Sequence, residues 1–112
     1  MVHVETVDDF LAERLINRVD IIKMDIEGAE PLVLKGMEKT FAANPGLKVI
    51  LEFSTMNLRV AGFDPLEILR TIESQGFTAK SIDDNKILSA TAETISEIEQ
   101  KNNSFVNVLI SK

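Results

Sequence analysis

The 112-residue sequence contains no cysteine, which excludes disulfide bonds, thiolate metal ligands and thiol nucleophiles. Tyrosine and tryptophan are also absent, so aromatic cages and base-stacking platforms have few side chains from which to form. The single histidine, His3, excludes a histidine cluster and argues against a Ser–His–Asp triad. No two of the five glycines form a G-x-G pair, so the sequence encodes neither a dinucleotide-binding loop nor a P-loop.

Charge and hydropathy exclude two further classes of partner. The 18 Asp and Glu residues outnumber the 12 Lys and Arg residues, and the resulting net charge of −6 argues against a nucleic-acid partner. The acidic, polar N-terminus does not resemble a signal peptide, and no apolar run approaches the roughly 20 residues that cross a bilayer. We therefore expect a cytoplasmic protein without a membrane partner, folded as a single domain over residues 1–112.

Hydrophobic periodicity predicts an α/β domain. Strand 19–26 is rich in β-branched residues and apolar almost throughout, which is typical of a strand buried on both faces of a parallel sheet. Further strands are predicted at 48–53, 77–82 and 105–110, and a weaker one at 2–6. Helices are predicted at 7–17, 31–43, 65–75 and 94–101. This alternation of strands and helices favours a sheet with right-handed crossovers.

Several helix ends carry recognisable local signals. Thr6 and Asp9 resemble a capping box at the start of the first helix. Asp64, with the proline after it, predicts the start of the third helix, and Gly76 predicts its end. Gly36 lies inside the second predicted helix, where glycine costs about 1 kcal/mol relative to alanine, so this helix could break there.

Acidic residues stand at the ends of two predicted strands, and ligands of open parallel sheets bind outside these carboxyl ends. Asp25 lies near the end of the strand at 19–26 and Glu27 directly follows that strand, and Glu52 lies near the end of the strand at 48–53. If the two strands are neighbours, the three carboxylates converge on one rim, with Asp25 and Glu27 on the same side. Such a cluster could bind a divalent cation, act as a general base, or hold the hydroxyls of a sugar-like ligand.

A structural role explains some of these acids equally well. Glu27 and Glu30 precede a helix, whose dipole favours acidic residues at its N-terminus. Asp25 and Glu52 interrupt apolar strands, and burying an unpaired carboxylate costs several kcal/mol, so each is expected to have a partner or a function. Lys23 could be the partner of Asp25.

The segment that follows the strand at 48–53 supplies the remaining candidates. Residues 54–59 are predicted to form a polar loop, and loops in this position often carry substrate contacts. Ser54, Asn57 and Arg59 are its candidate substrate-binding residues. Arg59 could bind an anion, but it could equally be an exposed surface arginine without a functional role.

Several strings of the sequence together form a known pattern. IKMDIEGAE spans Ile22–Glu30, VLKG follows at Val33–Gly36, and LEF ends the next strand at Leu51–Phe53. Shorter matches lie at 6–10, 76–77 and 107–109. Over nearly the whole chain, this pattern resembles the FkbM family of S-adenosylmethionine-dependent methyltransferases.

The resemblance implies a partial class I methyltransferase fold. This is an α/β, Rossmann-like sheet that is mostly parallel, with a late antiparallel strand and helices on both faces. The resemblance also implies methyl transfer from S-adenosylmethionine to a small-molecule hydroxyl, with Asp25, Glu27 and Glu52 as catalytic residues and a divalent cation as a possible aid. The residues expected to contact the substrate are Glu30, Ser54, Asn57 and Arg59.

Only the second half of the family pattern is matched, because the glycine-rich loop that holds the methyl donor has no counterpart here. We therefore expect the chain to be the C-terminal, acceptor-side half of such an enzyme and inactive by itself. The strand at 19–26 would then expose an apolar edge, which predicts a homodimer or association with another chain there. Two alternatives stay open: a non-catalytic binding or assembly module on this scaffold, and a cation-binding domain at the acidic rim.

Overall fold

The computed structural model describes residues 5–24, 30–101 and 105–112, with Glu30 described in its backbone only. Within these ranges the chain forms one four-stranded sheet and six helices. The strands are β1 (Ile21–Met24), β2 (Lys48–Ser54), β3 (Thr78–Ser81) and β4 (Phe105–Ser111). The helices are α1 (Val7–Glu13), α2 (Glu30–Lys35), α3 (Glu38–Ala43), α4 (Thr55–Val60), α5 (Pro65–Ser74) and α6 (Ala92–Glu99).

Three strands of the sheet point in one direction and the last strand points in the other. The spatial order is β1-β2-β4-β3. β1 pairs with β2 in parallel, whereas β4 pairs antiparallel with both β2 and β3. The predicted α/β fold, with a partial Rossmann-like sheet and a late antiparallel strand, is confirmed.

The hydrophobic core lies against one face of this sheet. Side chains alternate along each strand, and one set from β2 and β4 is completely buried. This set consists of Val49, Leu51, Phe53, Val106, Val108 and Ile110. Hydrophobic side chains of α2 to α6, from Leu34 to Ile98, join the same core cluster. Each large side chain buried in this way contributes about 1.5–3 kcal/mol to stability.

The opposite face of the sheet, called the open face below, carries exposed or half-buried side chains. Its members are Ile21, Lys23, Lys48, Ile50, Glu52, Thr78, Lys80, Phe105, Asn107, Leu109 and Ser111. In the described ranges the helices therefore cover one face, whereas we expected helices on both. The reason is topological: the crossovers from β1 to β2 and from β2 to β3 move the same way across the sheet, and right-handed crossovers then place their helices on one face.

The predicted helix signals at Thr6, Asp64 and Gly76 are confirmed. Thr6 Oγ1 accepts a hydrogen bond from the Asp9 N–H at 3.0 Å, and Asp64 Oδ1 accepts one from the Leu66 N–H at 3.0 Å. Gly76 adopts a φ of +82° immediately beyond α5, the left-handed conformation that glycine adopts most readily.

The helix break at Gly36 is also confirmed, and the structure supplies its cause. The Asp8 N–H donates to the Gly36 carbonyl at 2.9 Å, which brings the start of α1 onto the end of α2. A Cβ atom at position 36 would lie 2.9 Å from Thr6 Cβ, closer than real contacts allow. Glycine is therefore required for this close approach.

The structure differs from the prediction at the end of α1 and at residues 55–60. Helix α1 ends at Glu13 rather than at residue 17. Residues 55–60 form helix α4 instead of a polar loop, because Ser54 caps the helix and Leu58 anchors it in the core. The predicted strand at 2–6 falls largely on residues 1–4, outside the described residues.

Candidate functional site

Glu52 lies near the end of β2 on the open face of the sheet. Its register partner is Asn107 of β4, and Lys23 of β1 is the register partner of Ile50, two residues before Glu52. These four side chains share one face and line a shallow depression of about 160 Å³, together with Met24 and Leu51. The carboxylate that the sequence predicts for a site is therefore accessible from this face.

The polar side chains around this depression have no partners within the described part of the chain. Lys23, Glu52 and Asn107 make no side-chain hydrogen bond or ion pair there. Glu52 is half-buried, and Lys23 and Asn107 are exposed. Since structural contacts among the described residues do not occupy these groups, a ligand could bind all three.

The adjacency of the two acid-bearing strands is confirmed, but the convergence of their acids stays a prediction. Met24, the last described residue of β1, pairs with Leu51, the residue before Glu52. Asp25 and Glu27 lie outside the described residues, and Glu30 begins α2 with only its backbone described.

Ser54 has a structural contact at the start of α4. Its hydroxyl is buried and accepts a hydrogen bond from the Asn57 N–H at 3.1 Å, satisfying one of the free donors at the helix N-terminus. The Asn57 side chain is half-buried, and no described residue hydrogen-bonds to it. A substrate contact by Ser54 or Asn57 stays a prediction.

Arg59 lies in a different part of the molecule from Glu52. Its Nη2 atom forms an ion pair with Glu99 Oε1 of α6 at 2.8 Å, and both side chains are largely exposed. The pair borders a depression of about 230 Å³ that also includes Asp64 and Ser96. Because α6 packs on the core side of the sheet, Arg59 and Glu52 do not converge on one site.

Two residues of the depression had no site role in the sequence-based prediction. The sequence indicates Lys23 only as a partner of Asp25, and Asn107 only as part of a family string. Strand alternation would have placed Lys23 on one face of β1. The pairing of Asn107 with Glu52 depends on the register between β2 and β4, which joins residues 55 positions apart and leaves no local signal.

The described residues do not fit the nucleoside methyl donor that the family resemblance implies. Ligand pockets usually have volumes of about 300–1,000 Å³, larger than the depression at Glu52. A wider depression of about 450 Å³ lies between α1 and α2, and its lining includes the acidic residues Glu5 and Asp9 but no basic residue. The described residues also contain no group of three or more acidic or histidine side chains arranged to hold a metal ion.

The described helices are too short to cross a membrane, since the longest, α5, has ten residues. Comparison with curated proteins and with solved structures gave no match. The model of the methyltransferase FkbM domain matches residues 2–79, a range that contains β1, β2 and Glu52 and makes up more than half of the chain. The chain therefore belongs to the FkbM methyltransferase family.

Proposed function

We propose that this chain is the C-terminal, acceptor-side portion of an S-adenosylmethionine-dependent O-methyltransferase that acts on a hydroxyl of a small molecule. Family membership supports methyl transfer as the general chemistry. The observation that carries the finer proposal is the half-buried carboxylate of Glu52, which has no hydrogen-bond or ion-pair partner among the described residues and lies on the open face, next to the residue that pairs with Met24.

In this proposal Glu52 accepts a hydrogen bond from the acceptor hydroxyl and takes up its proton during the reaction. A carboxylate placed within hydrogen-bond distance both orients the oxygen and increases its nucleophilicity. Asp25 and Glu27 are proposed to act beside it, because Asp25 directly follows Met24, whose register partner is the neighbour of Glu52, and Glu27 lies two residues further along the chain. Ser54 and Arg59 already make structural contacts, so Glu52 is the residue proposed to bind the acceptor hydroxyl.

The donor is proposed to bind to further polypeptide, in the same chain or in a second one. Two observations support this division. The described residues do not fit a nucleoside donor, and the open face carries half-buried apolar side chains, Ile50, Phe105 and Leu109, that no described helix covers.

The test is a methyl-transfer assay on the full gene product that contains residues 1–112. Transfer of a labelled methyl group from S-adenosylmethionine to a panel of sugars and other hydroxylated small molecules is measured for the native protein and for Glu52→Gln. Loss of a general base is expected to lower kcat/KM by about 10²–10⁴-fold. The matched control is Glu93→Gln, an exposed acid in the first turn of α6, which is expected to leave the rate unchanged.

Two results would contradict the proposal. One is an unchanged rate in Glu52→Gln with any hydroxylated acceptor that the native protein methylates. The other is saturable micromolar binding of S-adenosylmethionine to the 112-residue chain alone in a calorimetric titration, because the donor site would then lie within these residues.

A second candidate function is a non-catalytic binding or assembly module, and the edges of the sheet favour it. The outer edge of β3 is covered by residues 86–88, through hydrogen bonds from Ser81 N–H to Lys86 O and from Leu88 N–H to Ala79 O, both at 2.8 Å. No described segment covers the outer edge of β1, and an open edge is where another strand can add to a sheet. This function predicts that Glu52→Gln changes no measurable property of the protein except its charge.

A further inference from the structure

Three polar side chains form a row across adjacent strands of the open face. Lys23 lies on β1, Glu52 on β2 and Asn107 on β4, and all three line the depression of about 160 Å³. Neighbouring strands are about 4.8 Å apart and each residue rises about 3.3 Å along a strand. Because Lys23 pairs with Ile50 rather than with Glu52, the row runs obliquely and spans about 12 Å from Lys23 to Asn107. The long Lys23 side chain can shorten this span to the length of a hexose ring with one substituent.

The three side chains of the row differ in charge and in hydrogen-bonding capacity. A cation, Lys23, stands at one end, a carboxylate is in the middle, and an amide that both donates and accepts hydrogen bonds is at the other end. Ile50 supplies a half-buried apolar surface between Lys23 and Glu52. None of the three polar groups hydrogen-bonds to or forms an ion pair with another described residue.

We infer that Lys23, Glu52 and Asn107 bind a hydroxylated small molecule that carries an anionic substituent, a carboxylate or a phosphate. Lys23 pairs with the anion, Glu52 accepts a hydrogen bond from a hydroxyl, and Asn107 fixes the orientation of the ring by hydrogen bonds to neighbouring hydroxyls. A neutral sugar would leave Lys23 without a contact, and an anion without hydroxyls would leave Glu52 without one. This inference rests on the proposed function, because it names the acceptor class for the site at Glu52.

The inference is tested by titrating the ¹⁵N-labelled chain and recording amide chemical shifts. The probes are glucuronate, glucose 6-phosphate, glucose and inorganic phosphate. Glucuronate and glucose 6-phosphate are expected to shift the amides of residues 23, 50–52 and 107, with an affinity at least about tenfold above that for glucose or for phosphate. Equal affinity for glucose, shifts confined to other residues, or no binding of either anionic sugar would overturn the inference.

Single substitutions separate the contribution of Lys23 from general surface charge. Lys23→Met is expected to lower the affinity for both anionic sugars about tenfold, and Lys23→Arg to keep it within about threefold of the native value. Lys48→Met is the matched control, since Lys48 lies on the same face at the opposite end of β2, and it is expected to have no effect. Undiminished affinity in Lys23→Met, or equal losses in Lys23→Met and Lys48→Met, would contradict the assignment.

Failure of this inference differs measurably from failure of the proposed function. If the anionic sugars bind at the row but the full gene product does not methylate them or any other hydroxylated compound, methyl transfer is wrong and the binding site is right. If methyl transfer depends on Glu52 but neutral acceptors react as well as anionic ones in both native protein and Lys23→Met, the acceptor class is wrong and the reaction is right.

Discussion

Leu15 adopts a backbone conformation that L-residues rarely adopt, with a φ of +55°. It follows α1 in a turn closed by two hydrogen bonds, from the Ile16 N–H to Leu11 O at 2.9 Å and from the Leu15 N–H to Ala12 O at 3.2 Å. Glycine is usual at this position of the turn, and it occurs at the equivalent position after α4 and α5, at Gly62 and Gly76. Leu15 therefore carries a backbone cost of about 1–2 kcal/mol.

Replacing Leu15 with glycine is expected to stabilise the protein. The side chain is 83% exposed, so little burial is lost, and relief of the backbone cost outweighs the greater entropy of glycine in the unfolded chain. We expect Leu15→Gly to raise the free energy of unfolding by about 0.5–1 kcal/mol in urea titrations. Ala12→Gly, within α1, is the control and should lower it by about 1 kcal/mol; a loss of stability in Leu15→Gly would contradict the argument.

At the scale of elements, α1 provides the N-terminal cap of α3. Met37, the residue before α3, makes no side-chain cap, and the Asp8 carboxylate of α1 takes its place. Asp8 Oδ2 accepts from the Lys39 N–H at 3.0 Å, and Oδ1 accepts from Thr40 N–H at 2.8 Å and Thr40 Oγ1 at 2.6 Å. Burial raises the pKa of Asp8, but these hydrogen bonds together outweigh it and hold the pKa below its ordinary value of 3.8.

Removing this cap is expected to destabilise the fold in a pH-dependent way. Asp8→Ala should lower the free energy of unfolding by about 1–2 kcal/mol at neutral pH, because two backbone donors lose their acceptor. Since the folded pKa is depressed, the contribution of Asp8 is complete above the unfolded pKa of 3.8 and is lost as the pH falls through the folded value.

Chemical denaturation of native protein and Asp8→Ala between pH 7 and pH 2 checks this prediction. The difference between the two should be largest at neutral pH and shrink below the ordinary pKa of Asp8. Asp9→Ala is the matched control, because the exposed Asp9 carboxylate accepts no hydrogen bond within the described residues. A difference that stays constant over the whole pH range would contradict the role of the ionised carboxylate.

At the scale of the whole molecule, the two edges of the sheet differ. Residues 86–88 cover the outer edge of β3, whereas no described segment covers the outer edge of β1. The Asp20 carbonyl accepts from the Lys48 N–H, so the backbone groups of Asp20 and Ile22 face β2, and those of Ile21 and Lys23 face outward. Ile21 is also 64% exposed. No described residue pairs with these outward groups, and an open edge of this kind is a template for a further strand.

We expect the chain to associate through this edge, as a homodimer or with a second chain. In sedimentation velocity at tens of micromolar, the 112-residue chain should sediment as a dimer. Ile21→Pro removes one outward N–H and should give a monomer, whereas Ile21→Thr keeps the edge and should leave the dimer intact. A native chain that sediments as a monomer at these concentrations would contradict association between copies of this chain.

Most of the fold could be predicted from local sequence, and the site only in part. The elements follow from periodicity, and their ends from short-range chemistry at Thr6, Gly36 and Asp64. The helix at 55–60 was missed because its polar residues resemble a loop, and only the burial of Leu58 in the core identifies it as a helix. Glu52 was identified because a carboxylate in an apolar strand is costly to bury unless it has a partner or a function. The exposed Asn107 gave no comparable signal.

The sequence by itself determined the absences, the α/β class and the family, because composition, periodicity and motif strings are properties of residues close together in the chain. Lack of cysteine and of a G-x-G pair limits the chemistry before any folding is considered. Only the tertiary structure decided that the helices described here cover one face, that Arg59 pairs with Glu99, and that Lys23, Glu52 and Asn107 share the other face. Those facts depend on crossover handedness and strand register, which are set by burying apolar area across the whole sheet rather than by neighbouring residues.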